Sequence, residues 1–297
     1  MNPRVRNWIE VNLAVLLWAG TALFPKVIEL PVPQIIWGRS VVAAGTLALF
    51  LWATGQPLRT RGRRELGLVV GTGICLAAHW LTYYQAIRVS TVATAIIALH
   101  TYPFLTILME PWLSGERVRG ADVGLGVVVL VGVAILTPDF DWSNPATQGV
   151  ALGVVSAFFF ALRNLGTRRA VQQMSGSALL FHQTWVVALV LTPWAWIPPG
   201  RLSAGSAGWL VLLGVVFTAL PHTLFTSGHR HLRAKTVSIV ATLLPVYGAL
   251  SAFLLLGERP GWRTLAGGVV VLAAVVAETL RSVRGPAQPT APAARAT

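Results

Sequence analysis

The chain has 297 residues, of which 55% are hydrophobic and only 11% are charged, and its mean hydropathy is +0.66. Soluble domains are about 25% charged, so this composition excludes an ordinary soluble protein and indicates an all-α protein that crosses a membrane several times. The net charge is +13, but the basic residues lie in short links and build no basic face with stacking aromatic rings, which argues against nucleic-acid binding.

Ten apolar runs are each long enough to predict a transmembrane helix, because a span needs about 20 mostly apolar residues. The links between the runs are short and rich in turn residues, which leaves no room for a soluble domain. The Pro/Ala-rich tail 285–297 is predicted to be disordered. The predicted spans are 8–26, 34–54, 66–87, 91–112, 120–137, 147–167, 177–197, 207–228, 236–256 and 262–281.

The basic residues predict which side of the membrane each link occupies. With the N-terminus in the cytoplasm, sixteen of the 23 Lys and Arg residues fall in cytoplasmic segments, and Arg39 and Arg163 lie inside spans. Cytoplasmic links carry such an excess in membrane proteins, so the bias predicts ten spans with both termini cytoplasmic. The external basic residues are then Lys26, Arg88, Arg201, Arg259 and Arg263.

A gapless shift of 142 residues aligns the two halves of the sequence. It aligns the Gly-Glu-Arg triplets 115–117 and 257–259, and it aligns Pro103 with Pro245. Each half contains five spans, so the second half enters the membrane from the opposite side. We therefore predict an inverted repeat of residues 1–142 and 143–284, an architecture typical of secondary transporters, with the substrate site between the halves. Further aligned pairs are Arg88 with Arg230, Gly126–Leu130 with Gly268–Leu272, and Trp18 with Phe160.

The ten spans, the two five-span halves and the Gly-Glu-Arg turns after the fourth and ninth spans resemble the drug/metabolite transporter superfamily, of the EamA-domain type. The resemblance covers about residues 8–281. The polar rings of the third and fourth spans and the basic cytoplasmic links are similar to those of the bacterial aromatic amino-acid exporters. This resemblance implies a central cavity surrounded by spans one, three, four, six, eight and nine, with spans five and ten at the periphery.

The third and fourth spans carry polar rings at membrane depth, where such groups are costly unless they line a cavity or find partners. His79 and Tyr83 are four residues apart and share one helix face. His100 and Tyr102 lie about 200° apart on an ideal helix, so they face one cavity only if Pro103 kinks the helix. The alternative is that each ring packs against a neighbouring helix.

Further candidate substrate contacts lie in the first, sixth, seventh and eighth spans. Trp18 is too deep for the interfacial aromatic belt, and Trp185 and His222 also lie well inside their spans, with packing as the alternative role for each. Arg163 either binds a carboxylate through two parallel hydrogen bonds or extends to the cytoplasmic surface, and Asn164 offers an amide beside it. Arg39 and Glu110 lie nearer span ends, where we expect surface extension or structural pairing.

The sequence predicts a carrier of the bacterial inner membrane that exports aromatic and other apolar amino acids or related metabolites by alternating access. Pro103 and Pro245 are its candidate hinges. A drug or other small-metabolite carrier is the alternative, and a nucleotide-sugar carrier fits less well because such substrates need more basic residues at mid-span. An intramembrane enzyme would belong to a different class, and its G-x-S-x-G, H-E-x-x-H or paired aspartate motifs are missing.

The expected partners are a small-molecule substrate, namely an aromatic or apolar amino acid, and the lipid bilayer. We expect no cofactor, no metal site, no nucleic acid and no obligate protein partner. The sequence contains no phosphate-binding loop, so ATP is not expected to drive transport directly.

Overall fold

A computed structural model describes residues 3–58, 60, 62–114, 120–139, 141–198, 201–228 and 240–284, and within these residues the chain is helical and contains no strand. Short 3-10 turns follow α1 and α9, and a π-helical turn, Val215–Ala219, joins α10 to α11. The helices are α1 Pro3–Gly20, α2 Phe24–Val27, α3 Val32–Ala53, α4 Arg63–Val89, α5 Val92–Leu99, α6 Tyr102–Ser114, α7 Gly120–Leu136, α8 Pro145–Ala170, α9 Gly176–Leu191, α10 Ala204–Gly214, α11 Leu220–Gly228, α12 Leu244–Leu256 and α13 Trp262–Arg284.

Eight helical segments of the described chain are long and apolar enough to cross a membrane. Two shorter apolar helices, Val123–Leu136 and Leu244–Leu256, lie within the predicted fifth and ninth spans. The predicted all-α, multi-pass architecture is thereby confirmed, whereas the count of ten spans stays a prediction. The Gly-Glu-Arg triplet 115–117, residues 236–239 of the predicted ninth span and the predicted disordered tail 285–297 lie outside the described residues.

Capping residues fix where several helices begin and end. The side-chain oxygens of Thr91, Asn144, Ser175 and Ser203 accept hydrogen bonds from backbone N–H groups in the first turns of α5, α8, α9 and α10. Such caps satisfy donors that have no partner within the helix. Gly257 ends α12 with φ +67, a left-handed conformation that favours glycine.

The predicted fourth span is broken at His100–Thr101, between α5 and α6. Pro103, the second residue of α6, has no N–H to continue the helical hydrogen-bond ladder. The same break occurs 142 residues later at Thr242–Leu243, and Pro245 is the second residue of α12. Both candidate hinges therefore stand directly after a helix break, at equivalent positions.

Helix packing follows the shift of 142 residues. Under this shift α1 corresponds to α8, and α4 corresponds to α10, the π-helical turn and α11 together. Among the most extensive helix contacts, α4 with α8 and α1 with α11 are two pairs that the shift converts into each other. The pairs α3 with α9 and α7 with α13 each join a helix to its own counterpart in the other half. Such pairing is what a two-fold relation between the halves would produce.

The helices α7 and α13 cross at two glycines. A Cβ added to Gly267 would lie 2.7 Å from the Gly132 carbonyl oxygen and 3.0 Å from the Leu136 backbone nitrogen. Backbone atoms cannot move aside as a flexible side chain does, so this crossing requires glycine.

We expect Gly267→Ala to lower the free energy of unfolding by about 1–3 kcal/mol, because the added methyl group overpacks the crossing. Gly124→Ala is the matched control, since a Cβ at Gly124 meets nothing within 4 Å and alanine is the better helix former. Unfolding of purified protein in detergent measures both variants. Equal stability of the two variants would contradict the requirement for glycine at the crossing.

A latch joins three segments at one end of the bundle, which we call the Glu258 end. Lys26 lies 3.8 Å from the Glu258 carboxylate and donates to the Ser90 carbonyl oxygen at 2.8 Å. The Val92 backbone N–H donates to Glu258 at 2.9 Å. Residues that follow α1, α4 and α12 are thus held together at this end.

Arg88 adds to this latch by donating to backbone carbonyl oxygens of the segment that follows α1, those of Pro25, Ile28 and Leu30. The opposite end, which we call the Arg168 end, carries an ion pair between Arg168 of α8 and Glu110 of α6. The expected structural pairing of Glu110 therefore occurs.

Candidate substrate-binding site

Five aromatic side chains from α4, α6, α8 and the break before α6 form a continuous ring cluster. The His79 ring lies 4.6 Å from that of Phe160 and 6.0 Å from that of Tyr83. The Tyr102 ring lies 4.8 Å from Phe160 and 5.8 Å from His100, edge to face in both cases. The helix break thus brings His100 and Tyr102 into contact, which a straight helix would prevent.

Hydrogen bonds assign the tautomers of both histidines in the ring cluster. Nδ1 of His79 lies 2.7 Å from the Ser156 hydroxyl and 3.3 Å from the Ser156 carbonyl oxygen, which only accepts. Nδ1 of His100 lies 2.7 Å from the Ile96 carbonyl oxygen. Each Nδ1 therefore carries the proton, and each Nε2 is left as a hydrogen-bond acceptor. Among the described residues, neither Nε2 has a hydrogen-bond partner.

Arg163 of α8 lies beside this ring cluster and is only 9% exposed. Its Nε and Nη2 both donate to the Gln183 side-chain oxygen, at 3.2 and 2.7 Å. Gln183 in turn donates to the Thr167 hydroxyl at 3.3 Å, and the guanidinium carbon is 6.0 Å from the centroid of Phe160. The alternative that Arg163 extends to the membrane surface is wrong, because Gln183 holds it inside the bundle.

The charge of Arg163 has only neutral partners within the described part of the chain. The four ion pairs found there involve Arg6, Lys26, Arg168 and Arg281. A buried charge without a counter-charge is costly. An anionic group of a ligand would offset that cost at this position.

A second group of rings contains Trp18 of α1 with His222 and Phe225 of α11. The Trp18 ring lies 4.7 Å from Phe225 and 5.9 Å from His222. Trp18 and Phe225 correspond under the shift of 142 to Phe160 and Tyr83 of the ring cluster.

Trp185 makes no ring contact with these residues among the described side chains, so its contact with substrate stays a prediction. Its side chain is 49% exposed, and Leu189, one turn further along α9, is 59% exposed. These positions define an apolar outer face of α9, where a tryptophan would contact lipid. Asn164 is half-buried next to Arg163, and its amide has no hydrogen-bond partner among the described residues.

Four side chains of the region were not among the predicted site residues. Phe160 was detectable, because the shift of 142 aligns it with Trp18. Ser156 and Gln183 contact their partners only through helix packing, which the sequence does not reveal. Arg39 was expected to extend to the surface or pair near a span end, yet it is buried at 3% exposure.

A separate cavity of about 310 Å³ opens at the Arg168 end. Its lining includes Gln56, Glu65, Gln173, Ser175 and His182. No residue predicted from the sequence as a substrate contact lines it, and no ring of the cluster reaches it. We therefore place the candidate site at the ring cluster.

Comparison with known proteins identifies the family. The model of the EamA-like transporter family matches the chain twice, over residues 9–137 and 147–278. The chain belongs to the EamA-like transporter family. It is therefore a multi-pass membrane protein whose relatives are transporters.

Members of this family that resemble the chain include exporters. The pseudopaline exporter CntI of Pseudomonas aeruginosa is 28% identical over 251 residues, which cover 84% of this chain and 86% of the relative. An uncharacterized transporter of Archaeoglobus fulgidus is 30% identical, with 75% and 77% covered. A probable amino-acid metabolite efflux pump of Escherichia coli is 23% identical, with 71% and 76% covered.

A solved crystal structure shows the same fold. It superimposes with a TM-score of 0.64 over 94% of this chain and 99% of the other, at 18% sequence identity. At this identity the likeness establishes the fold alone.

Proposed function

We propose that the chain exports aromatic and other apolar amino acids, and related metabolites with a carboxylate, across the inner membrane of a bacterium. The observation that carries this proposal is the buried Arg163, which has only neutral partners and lies beside a cluster of aromatic rings. The family contains exporters, including the probable amino-acid metabolite efflux pump. That name supports the substrate class only by analogy.

The groups around Arg163 complement the three parts of such an amino acid. The guanidinium offers donors to a carboxylate. The Nε2 atoms of His79 and His100 are neutral acceptors, which suit an ammonium group. The rings of Tyr102 and Phe160 suit an apolar or aromatic side chain through stacking and edge contacts.

We propose ten spans in two inverted halves, residues 1–142 and 143–284, with both termini in the cytoplasm. The Glu258 end then faces outward, and the latch closes it in this conformation. Opening would separate the segments that Lys26 and Glu258 join, and the breaks before Pro103 and Pro245 would let α6 and α12 change direction. Among the described spans the buried charges are Arg39, Arg163 and Glu65, and Glu65 stands in the first turn of α4, at the Arg168 end and away from the ring cluster. A carboxylate relay for protons through the site is therefore not evident, and substrate export down its own gradient fits the site.

A carrier of other small metabolites is the second candidate. The observation that favours it is the range of functions among relatives, which include a pseudopaline exporter and S-adenosylmethionine uptake transporters of Rickettsia. A broad substrate panel separates the two candidates.

The proposal is tested with purified full-length protein in liposomes. We expect faster uptake of labelled phenylalanine, tryptophan or threonine than into protein-free liposomes, measured with and without a pH gradient. No accelerated uptake of any amino acid of a broad panel by folded protein would overturn the proposal. Uptake of other metabolites in the same assay would then favour the second candidate.

Tyr102 provides a test of the ring cluster as the substrate site. We expect Tyr102→Ala to raise KM for phenylalanine about tenfold, because the ring contact is lost. Tyr102→Phe should leave KM within about twofold, since no described residue accepts a hydrogen bond from the hydroxyl. Trp185→Ala, which removes a ring from the outer face, is the matched control and should also leave KM unchanged. Normal transport by Tyr102→Ala would remove this residue from the site.

A further inference from the structure

A second arginine, Arg39 of α3, is buried in the bundle, and the site around Arg163 does not use it. Its Nη1 donates to the Tyr84 hydroxyl and its Nη2 to the Thr218 hydroxyl, both at 2.9 Å. The guanidinium carbon lies 4.0 Å from the centroid of the Trp80 ring. These partners are all neutral, so they provide no counter-charge for Arg39.

One edge of the Arg39 guanidinium has an unused donor. Nε is buried and has no hydrogen-bond partner within the described ranges. A buried charged donor without an acceptor is costly, and the great majority of buried polar groups in native proteins are hydrogen-bonded. A carboxylate, which accepts from Nε and a neighbouring Nη in parallel, is the group that fits this edge.

A ladder of aromatic rings connects the two buried arginines. Neighbouring rings have centroids 4.6–6.2 Å apart. The guanidinium carbon of Arg39 lies 5.4 Å from the centroid of the Tyr84 ring, and that of Arg163 lies 6.0 Å from the centroid of the Phe160 ring. In order, the ladder contains Arg39, Tyr84, Tyr83, His79, Phe160 and Arg163.

The two arginines lie towards opposite ends of the bundle. Arg39 follows the first residue of α3, Val32, by seven positions, and this helix begins at the Glu258 end. Arg163 precedes the last residue of α8, Ala170, by seven positions at the Arg168 end. At 1.5 Å per residue, each lies about 10 Å along its helix from that end.

The partner of Arg39 on the other half of the chain lies in an irregular part of its helix. Thr218 belongs to the π-helical turn Val215–Ala219 and donates to the Leu213 carbonyl oxygen at 2.7 Å. Such turns are often found at functional sites. Pro221, which has no N–H, weakens the helix just beyond. A shift of this segment would remove one of the two hydroxyl partners of Arg39.

We propose that Arg39 is a second carboxylate-binding residue, which holds the substrate's carboxylate when the Glu258 end opens. This inference rests on the proposed function, because it requires a carboxylate substrate that enters at Arg163. The carboxylate binds Arg163 in the inward-facing state and Arg39 in the outward-facing state, while the side chain moves along the ring ladder. A carboxylate at either arginine supplies the missing counter-charge.

Sided transport kinetics of the full chain test this inference. Uptake of labelled phenylalanine into right-side-out vesicles measures KM at the external face, and uptake into inside-out vesicles measures it at the cytoplasmic face. We expect Arg39→Gln to raise the external KM about tenfold and to change the cytoplasmic KM less than about twofold, since a charged hydrogen-bonded contact is lost on one face only. Arg163→Gln should show the reverse asymmetry.

Two further variants separate binding from a structural role. Thr218→Val removes one hydrogen bond of Arg39 but keeps the charge of Arg39. If Arg39 only holds the helices together, Thr218→Val and Arg39→Gln should change KM equally, and each should do so on both faces. Arg39→Lys keeps the charge but loses the parallel fork, so it should raise the external KM severalfold, and it replaces Arg39→Gln if that variant does not fold.

The outcomes distinguish the two proposals. An external KM within about twofold of wild type, or an equal change on both faces, overturns the role of Arg39. If the Arg39 variant gives one of these results while Arg163→Gln raises the cytoplasmic KM, the proposed function stands without a role for Arg39. If the wild-type chain transports no amino acid, the proposed function itself fails.

Discussion

Replacing Arg163 with glutamine is expected to lower kcat/KM for phenylalanine export about 10- to 100-fold. The reason is the loss of a charge-assisted, two-point contact with the substrate carboxylate, and a hydrogen bond to a charged group contributes about 1.5–3 kcal/mol. The glutamine amide nitrogen takes the position of Nε of Arg163, which donates to the Gln183 side-chain oxygen at 3.2 Å, so this hydrogen bond can be kept. The folded structure should therefore survive the substitution, and initial rates in inside-out vesicles measure the effect.

Two further arginine variants serve as controls for the effect of Arg163→Gln. Arg169→Gln removes an exposed arginine of the same helix α8 and should leave kcat/KM within about twofold, because it lies outside the ring cluster. Arg163→Lys keeps the charge without the fork and should fall between wild type and Arg163→Gln. Wild-type kinetics for a folded Arg163→Gln protein would show that Arg163 does not bind the substrate carboxylate.

Cross-linking the latch at the Glu258 end is expected to stop transport almost completely. Lys26→Cys and Glu258→Cys, joined by a short reducible thiol cross-linker in a Cys75→Ala background, would hold together segments that must separate for the external side to open. The chain has one native cysteine, so this background carries no competing thiol. We expect less than about 10% of the uncross-linked uptake rate, and recovery on reduction, because the natural latch is weak enough to open in each cycle.

A second pair at the same end controls for the reagent. Arg263 donates to the Thr137 carbonyl oxygen at 3.3 Å, which joins the ends of α7 and α13. The helices α7 and α13 pack mainly against each other, so Thr137→Cys with Arg263→Cys should cross-link without loss of transport. Full activity of the cross-linked Lys26–Glu258 pair would show that the latch is not a gate.

Local sequence features predicted much of the helical architecture. Apolar run length located the eight helical segments of the described chain that are long enough to cross a membrane, and Pro103 predicted the break that brings His100 and Tyr102 together. The shift of 142 residues predicted that Pro245 follows an equivalent break. Each of these features depends on neighbouring residues or on an alignment of the chain with itself, so no knowledge of helix packing was needed.

The composition of the site depended on packing that the sequence does not encode locally. His79 and Ser156 are 77 positions apart and meet only because α4 packs along α8. Arg39 bonds to Thr218, 179 positions away, so its burial could not be seen from its place in α3. The exposure of Trp185 could likewise not be seen from the sequence of α9, because that sequence does not indicate which face of the helix turns outward.

Competition between phenylalanine and its amide tests the central claim most directly, namely that the carrier recognises a carboxylate. Phenylalanine amide keeps the ring and the ammonium group but has no carboxylate. Wild-type protein in liposomes should take up labelled phenylalanine, unlabelled phenylalanine should inhibit this uptake, and the amide should inhibit it at least about tenfold more weakly, as expected for loss of a charged contact. Equal inhibition by phenylalanine and its amide would contradict the account.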